Sequence, residues 1–260
     1  MNEPLPAASG SGTLPLFFKR LEALDSERHR RLRRRSREDY RFAAASNAIP
    51  IGFSELPKAS QEYPIVFAGD GDSLHLAALV GLTASSNLFV GADGQWQGRY
   101  VPAYLRCHPF TLARGPGALD SVATYIVAID SGSPELDESA GLPLFSERGE
   151  RTAQLNQIVE FLQHYEAQVD LGRRFAQRVG ELGLLVSVNA EARLRNGRQF
   201  ALSGLRVVER GALRALPVEA RMELYDKEWL EMIYHHFASL QSFSNLVDRL
   251  ALREGTGAAA

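Results

Sequence analysis

The stretch from Thr152 to Leu182 does most to limit what this chain can become. Leu155, Ile158, Val159, Leu162, Tyr165, Val169, Phe175, Val179 and Leu182 fall broadly on one face of a helix, with Glu, Gln and Arg opposite. Thr152 stands where a side-chain oxygen caps a first turn, and Gly183 where a left-handed residue ends a last one. Gly172 in the middle argues against a single straight rod. An amphipathic helix of this length needs a broad apolar surface to lie on, and the segments on either side of it read as strands.

The hairpin that follows can be registered from sequence. Val186, Val188, Ala190, Ala192 and Leu194 alternate, and Phe200 and Leu202 share their parity. A two-residue Asn196-Gly197 turn would put these sets on opposite faces. A three-residue turn, Arg195-Asn196-Gly197 with Gly197 left-handed, pairs Ala192 with Phe200 and Ala190 with Leu202 on one face. Upstream, Tyr63 to Phe67 reads as a strand ended by Gly69-Asp70-Gly71-Asp72, with a return strand over Leu74 to Leu82. Asn87 to Val90 leads into Gly91-Ala92-Asp93-Gly94 as a second hairpin, and Val122 to Ile129 is a buried strand. Tyr100 to Leu105 reads as extended but carries Pro102, which makes it an edge strand or a connection.

Past the hairpin, Pro217 opens a helical segment. From there Trp229, Met232, Ile233, His236, Phe237, Leu240, Phe243, Val247 and Leu250 keep helical spacing to near Arg253. Strands cluster and helices stand at the ends of the clusters, which predicts an α+β fold: antiparallel β hairpins packed with one long central helix and C-terminal helices. The expected organisation is a disordered lead over 1–13, a basic and partly helical segment over 14–45, one α+β domain over 46–253 and a disordered tail over 254–260.

Composition excludes several classes. A hydrophobic share of 45% and a charged share of 23% rule out disorder, and a single cysteine, Cys107, rules out disulfides and zinc clusters. No run of about 18 apolar residues exists to cross a membrane, and no standard secretory signal is visible, so the expected place is the cytoplasm. Net charge is −2, yet Lys19 to Arg41 holds ten basic residues against five acidic ones, leaving −7 to the remainder. Arg30, Arg31, Arg33, Arg34 and Arg35 are the densest part. A short amphipathic helix is expected there, solvated or folded back onto the acidic remainder, and contact with nucleic acid is the weaker reading.

Chemical motifs are sparse. No phosphate-cradling glycine loop and no nucleophile elbow occurs. His235 and His236 point about 100° apart on a helix and do not form a metal pair, so no metal is expected. Asp70-Gly71-Asp72 is a turn, since the later ligands of a calcium loop are missing. Cys107 reads as a small buried thiol. What remains is Trp96, Tyr100, Tyr104, Arg106, His108 and, further on, Asp130. Tyr, Trp and Arg dominate binding hot spots, so this set is the candidate surface for an extended peptide or a partner chain. Its structural reading is that the rings fill the core of a β region.

An ordered series of short segments resembles the bacterial SapC family: Glu62 to Phe67, Leu79 to Leu82, Asn87 to Val90, and Gly94-Gln95-Trp96 leading to Tyr100 to Arg106. Pro109-Phe110, Ile129-Asp130, Leu144-Phe145, Phe161 to Glu166, Gly204-Leu205 and Trp229-Leu230 follow in the family's order, over about residues 45 to 245. The family is named for a protein encoded with a bacterial surface layer. Its members share loci with TonB-dependent receptors and flavin-dependent tryptophan halogenase-like proteins, and the resemblance brings no catalytic residues with it. It implies an accessory or binding protein of an envelope or nutrient-uptake system, without a cofactor, whose partner is a protein or peptide such as a TonB-dependent receptor or halogenase-like protein. Self-association is left open. The alternative is an enzyme or enzyme subunit acting on a peptide or aromatic metabolite, marked by a pocket holding Tyr104, Arg106, His108 and Asp130.

Overall fold

A computed structural model describes residues 14–37, 39–114, 125–193 and 197–257. In chain order its strands are β1 (Leu21–Ala23), β2 (Arg33–Arg34), β3 (Ala48–Pro50), β4 (Ile65–Ala68), β5 (His75–Leu79), β6 (Phe110–Arg114), β7 (Tyr125–Asp130), β8 (Leu136–Asp137), β9 (Leu142–Pro143), β10 (Leu185–Arg193) and β11 (Gln199–Val208). The α-helices are α1 (Leu56–Ala59), α2 (Ala103–Cys107), α3 (Ala153–Glu181), α4 (Arg210–Ala215), α5 (Val218–Asp226), α6 (Trp229–Ser239) and α7 (Phe243–Gly257). The ladders between these strands are antiparallel, so the fold is α+β.

The chain divides into two units. One joins Asp39–Leu105 to Ala167–Ala260. Its sheet runs β10-β11-β4-β5-β3, and β4 and β5 are buried almost throughout. The second half of α3 packs there through Phe175, whose ring meets Phe53 at 5.5 Å, Phe67 at 5.9 Å and Trp229 of α6 at 5.7 Å. Gly172 does not break the helix. The glycine that matters is Gly52, where a Cβ would stand 2.8 Å from Gln168 Cβ, so only a bare backbone lets that loop approach α3. His236 ties α6 to two strands: its Nε2 accepts the Val208 N–H at 3.1 Å and its Nδ1 meets the Ile65 carbonyl at 2.9 Å.

The hairpin register is the one the parity argument selects, with Ala192 opposite Phe200, Ala190 opposite Leu202 and Gly197 at φ +86°. The turn residues Arg195 and Asn196 lie outside the described residues, as do Val122 to Thr124, the 1–13 lead and 258–260. Helix α7 continues through Gly257, past the expected end near Arg253. Of the expected second hairpin, the bridge Val90–Trp96 is what forms among the described residues.

The other unit joins Met1–Glu38 to Arg106–Glu166. It holds the sheet β1-β7-β6 and a small ladder in which β2 lies between β8 and β9. Thr152 caps the start of α3 as expected, its Oγ1 accepting the Leu155 N–H at 3.4 Å while donating toward the Pro143 carbonyl at 2.7 Å. Among the described residues, the amphipathic helix expected in the basic segment does not form. Asp25 turns the chain by accepting the N–H groups of Glu27 and Arg28, each at 2.8 Å, and β2 then runs extended. A helix would have stacked Arg30 on Arg34 and Arg31 on Arg35 at the repulsive i, i+4 spacing. Extended, the arginines reach separate partners: Arg31 Nη2 lies 2.9 Å from Glu138, Arg34 Nη2 3.8 Å from Glu135 and Arg35 Nη1 3.9 Å from Asp137, while Arg30 is exposed. This is the fold-back onto acidic chain.

Candidate functional site

The segment from Trp96 to Arg106 is not an edge strand. Glu62 accepts the N–H groups of Arg99 at 2.9 Å and Tyr100 at 3.0 Å. Glu55, a buried carboxylate, accepts the Gly52 N–H at 2.6 Å, the Ala103 N–H at 2.6 Å and the Tyr100 hydroxyl at 2.8 Å. Pro102 has no N–H to offer. Three backbone donors of the segment, those of Arg99, Tyr100 and Ala103, are therefore held by two carboxylates, and Ala103–Cys107 coils into α2.

The aromatic residues of that segment are largely internal. Trp96 stacks on Phe89 with ring centroids 5.6 Å apart and donates Nε1–H to the Tyr100 carbonyl at 3.1 Å. Tyr63 donates its hydroxyl to the same carbonyl. From α7, Arg249 donates to the Gln97 carbonyl at 3.0 Å, and Arg253 to the carbonyls of Asn87 at 2.9 Å and Val90 at 2.6 Å, which pins the loop. Trp96, Tyr100 and the half-buried Tyr104 belong to the unit with the five-stranded sheet. Arg106, His108 and Asp130 belong to the other. The six residues are thus divided three and three between the two units.

In the second unit the structure brings His108 and Asp130 together. His108 is 4% exposed, its Nε2 lies 3.5 Å from Asp130 Oδ2, and its Nδ1 lies 3.8 Å from Glu135 Oε1. Asp130 also accepts the backbone N–H groups of Lys19 at 3.2 Å and Arg20 at 2.9 Å. Arg37 grips both oxygens of Glu135, at 2.9 and 3.1 Å, and donates to the His108 carbonyl. Burial pushes the Glu135 carboxyl up, but His108, Arg37 and Arg34 outweigh it and hold the group below the usual carboxylate range. Phe18 closes the imidazole edge-on, with ring centroids 5.4 Å apart. An imidazole between two carboxylates has the composition of acid–base apparatus, but this one is sealed.

Solvent reaches the same unit at a cleft of about 160 Å³ lined by Arg34, Arg106, Gln154, Gln157, Ile158 and Phe161 among others. The four α3 residues recur at i, i+3, i+4 and i+7, so they form one helix face. Arg106 extends from the end of α2 over the Phe161 ring, 5.0 Å from its centroid. Arg34 lies over Phe110, 5.5 Å from its centroid. Sequence reading singled out both arginines but not the two glutamines, whose helical spacing along the flank of the apolar stripe was the available signal. It missed Glu55, Glu62, Arg37 and Glu135 altogether, because a carboxylate that holds a distant backbone leaves no local pattern. A larger, more open cleft of about 510 Å³ in the five-stranded unit is lined by Asp72, Gln177, Glu181 and Arg206 among others.

Among the described residues no helix is long and apolar enough to cross a membrane. Compared with known proteins, residues 24–246 match a family model described as SapC. No curated protein and no solved structure matches the chain.

Proposed function

The chain belongs to the SapC family, and from that premise we propose that it is a non-enzymatic binding or accessory protein of a bacterial envelope or nutrient-uptake system. The observation that carries this reading is the closure of the His108 constellation. Its three titratable side chains, His108, Asp130 and Glu135, are each buried. A general base must come within hydrogen-bond reach of a substrate proton, and these groups face one another instead. What the unit offers to solvent is the cleft at Arg106, whose arginines, glutamines and apolar groups suit it to holding a ligand or a partner's side chain, and whose one thiol, Cys107, is buried. The partner class follows from the family's shared loci: a TonB-dependent receptor or a halogenase-like protein.

The experiment is affinity capture on the full chain from native lysate, read by mass spectrometry, beside Arg106→Glu. Recovery of a TonB-dependent receptor or halogenase-like protein by the first and its loss with the second supports the reading. Capture of either that is indifferent to Arg106 moves the contact elsewhere, to exposed residues of the five-stranded unit. The rival, an enzyme or subunit acting on a peptide or aromatic metabolite, draws on the 3.5 Å approach of His108 to Asp130. Chemical labelling of His108 in the folded chain, with turnover lost in His108→Gln, would put that rival first.

A further inference from the structure

We infer that the cleft between Arg34, Arg106 and the Gln154–Phe161 face of α3 is a binding site for a terminal carboxylate carried on a short apolar group. The inference rests on the binding-protein reading and names what that site takes.

Size comes first. At about 160 Å³ the cleft is well below the roughly 300 Å³ at which pockets for drug-sized ligands and cofactors begin. Liquid water occupies about 30 Å³ per molecule, so the space corresponds to about five waters. The cleft by itself is too small to enclose a nucleotide. A branched short-chain acid, or the last residue of a peptide, fits.

Chemistry then selects the charged end. Two arginines line one small space, and a guanidinium offers paired donors whose spacing matches the two oxygens of a carboxylate. Arg34 is held partly back by Glu135, but its approach there is 3.8 Å, because Arg37 already holds both oxygens of that carboxylate. Its side chain is 22% exposed, enough for it to line the cleft. Arg106 is exposed and reaches over Phe161, its Cζ 5.0 Å from the ring centroid, which sets the guanidinium beside the apolar wall. Gln154 and Gln157 add amide donors at adjacent turns of the same helix face. No Asp or Glu is among the described lining residues, so an ammonium has no counter-charge in the cleft.

The apolar part is selected by the other lining groups. Ile158 is buried and Phe161 half-buried, so an alkyl group placed against them exchanges water for hydrocarbon. A bare inorganic anion would leave that wall wet. A carboxylate with about four to six carbons uses both halves of the cleft, within the limits set by its volume.

The test titrates the full chain, ¹⁵N-labelled, with 4-methylpentanoate, its neutral amide, N-acetyl-glycyl-leucine and the C-terminal amide of that dipeptide. Binding of the free acids at about tenfold lower concentration than their amides is expected, because amidation removes the charge that strengthens a guanidinium hydrogen bond. Arg106→Gln should cost the acids about tenfold and leave the amides unchanged, with Arg106→Lys between the two. Gln157→Leu, at an exposed position, gives a second reading if the arginine variant fails to fold. A dipeptide that binds better than 4-methylpentanoate assigns the carboxylate to a chain terminus, and the reverse order assigns it to a free acid. Equal binding of acids and amides, or shifts that bypass residues 154–161, overturns the assignment and leaves the accessory reading to its own capture experiment. Conversion of the acid during the titration would instead overturn the non-enzymatic reading and keep the site.

Discussion

The Tyr100 hydroxyl donates to Glu55 Oε1 at 2.8 Å, with Glu55 buried and also holding the N–H groups of Gly52 and Ala103. A residue that reads as an exposed anchor is therefore one of three donors to an internal carboxylate. Tyr100→Phe removes one donor from a buried acceptor, and the expected loss is about 1–3 kcal/mol of unfolding free energy in urea. Partner capture by the folded variant should be unchanged. A variant of wild-type stability would mean the hydroxyl bond contributes nothing net.

Trp96 makes a related prediction. Its ring stacks on Phe89, and its Nε1–H is bonded to the Tyr100 carbonyl. Trp96→Ala should lower stability by about 2–4 kcal/mol, toward the low end of large-to-small core changes because the ring is partly exposed. Thermal unfolding measures it. A variant that unfolds at the wild-type temperature but no longer captures its partner would restore Trp96 as a binding residue.

The pair of Arg37 and Glu135 is buried, with side chains 10% and 9% exposed. Breaking it from the arginine side leaves the Glu135 carboxylate with only the more distant Arg34 and His108, each at 3.8 Å. Arg37→Met should cost about 3–5 kcal/mol, while Arg37→Met combined with Glu135→Leu should recover part of that loss. Chemical denaturation of the two variants separates the outcomes, and a double variant worse than the single would show that His108 needs Glu135 independently.

His236 predicts a pH dependence. Burial pushes its imidazole down to about 4, against the bond to the Ile65 carbonyl, which favours the charged form. The folded pKa is depressed below the ordinary 6.5, so the unfolded chain binds more protons between these values and stability falls as pH drops from 6.5 to 4. A shift of that size corresponds to about 3 kcal/mol across the window. Unfolding free energies from pH 7 to 4 should show the slope in the wild type and a flatter line in His236→Gln.

These particulars mark what the amino-acid order makes legible. The long helix and the β10–β11 register could be read because each depends on a local period: apolar residues every three or four positions, or every two with the parity of a turn. The Tyr100–Leu105 segment could not. Its extended appearance is local, but its conformation is decided by Glu55 and Glu62, some forty residues earlier, taking its backbone donors. The basic segment misleads for a similar reason: local sequence alone suggests a short amphipathic helix, while Glu135, Asp137 and Glu138, about a hundred residues later, favour an extended β2. Of the candidate site, the arginines and His108 with Asp130 stood out by residue type. How they sort between a sealed cluster and an open cleft depends on partners far along the chain, Phe18, Arg37 and Glu135 for His108 and Phe161 for Arg106, and no spacing encodes that.

Each unit is assembled from two separated stretches of chain, and the segment matching the family begins at residue 24, one position after β1 ends. A fragment trimmed to the matched span would lose the strand that pairs Leu21 with Asp130 and the Lys19 and Arg20 amides that hold the Asp130 carboxylate. The anion beside His108 would then stand with two fewer donors and an open sheet edge next to it. Homology draws the border of this protein a few residues inside the border that its buried charge requires.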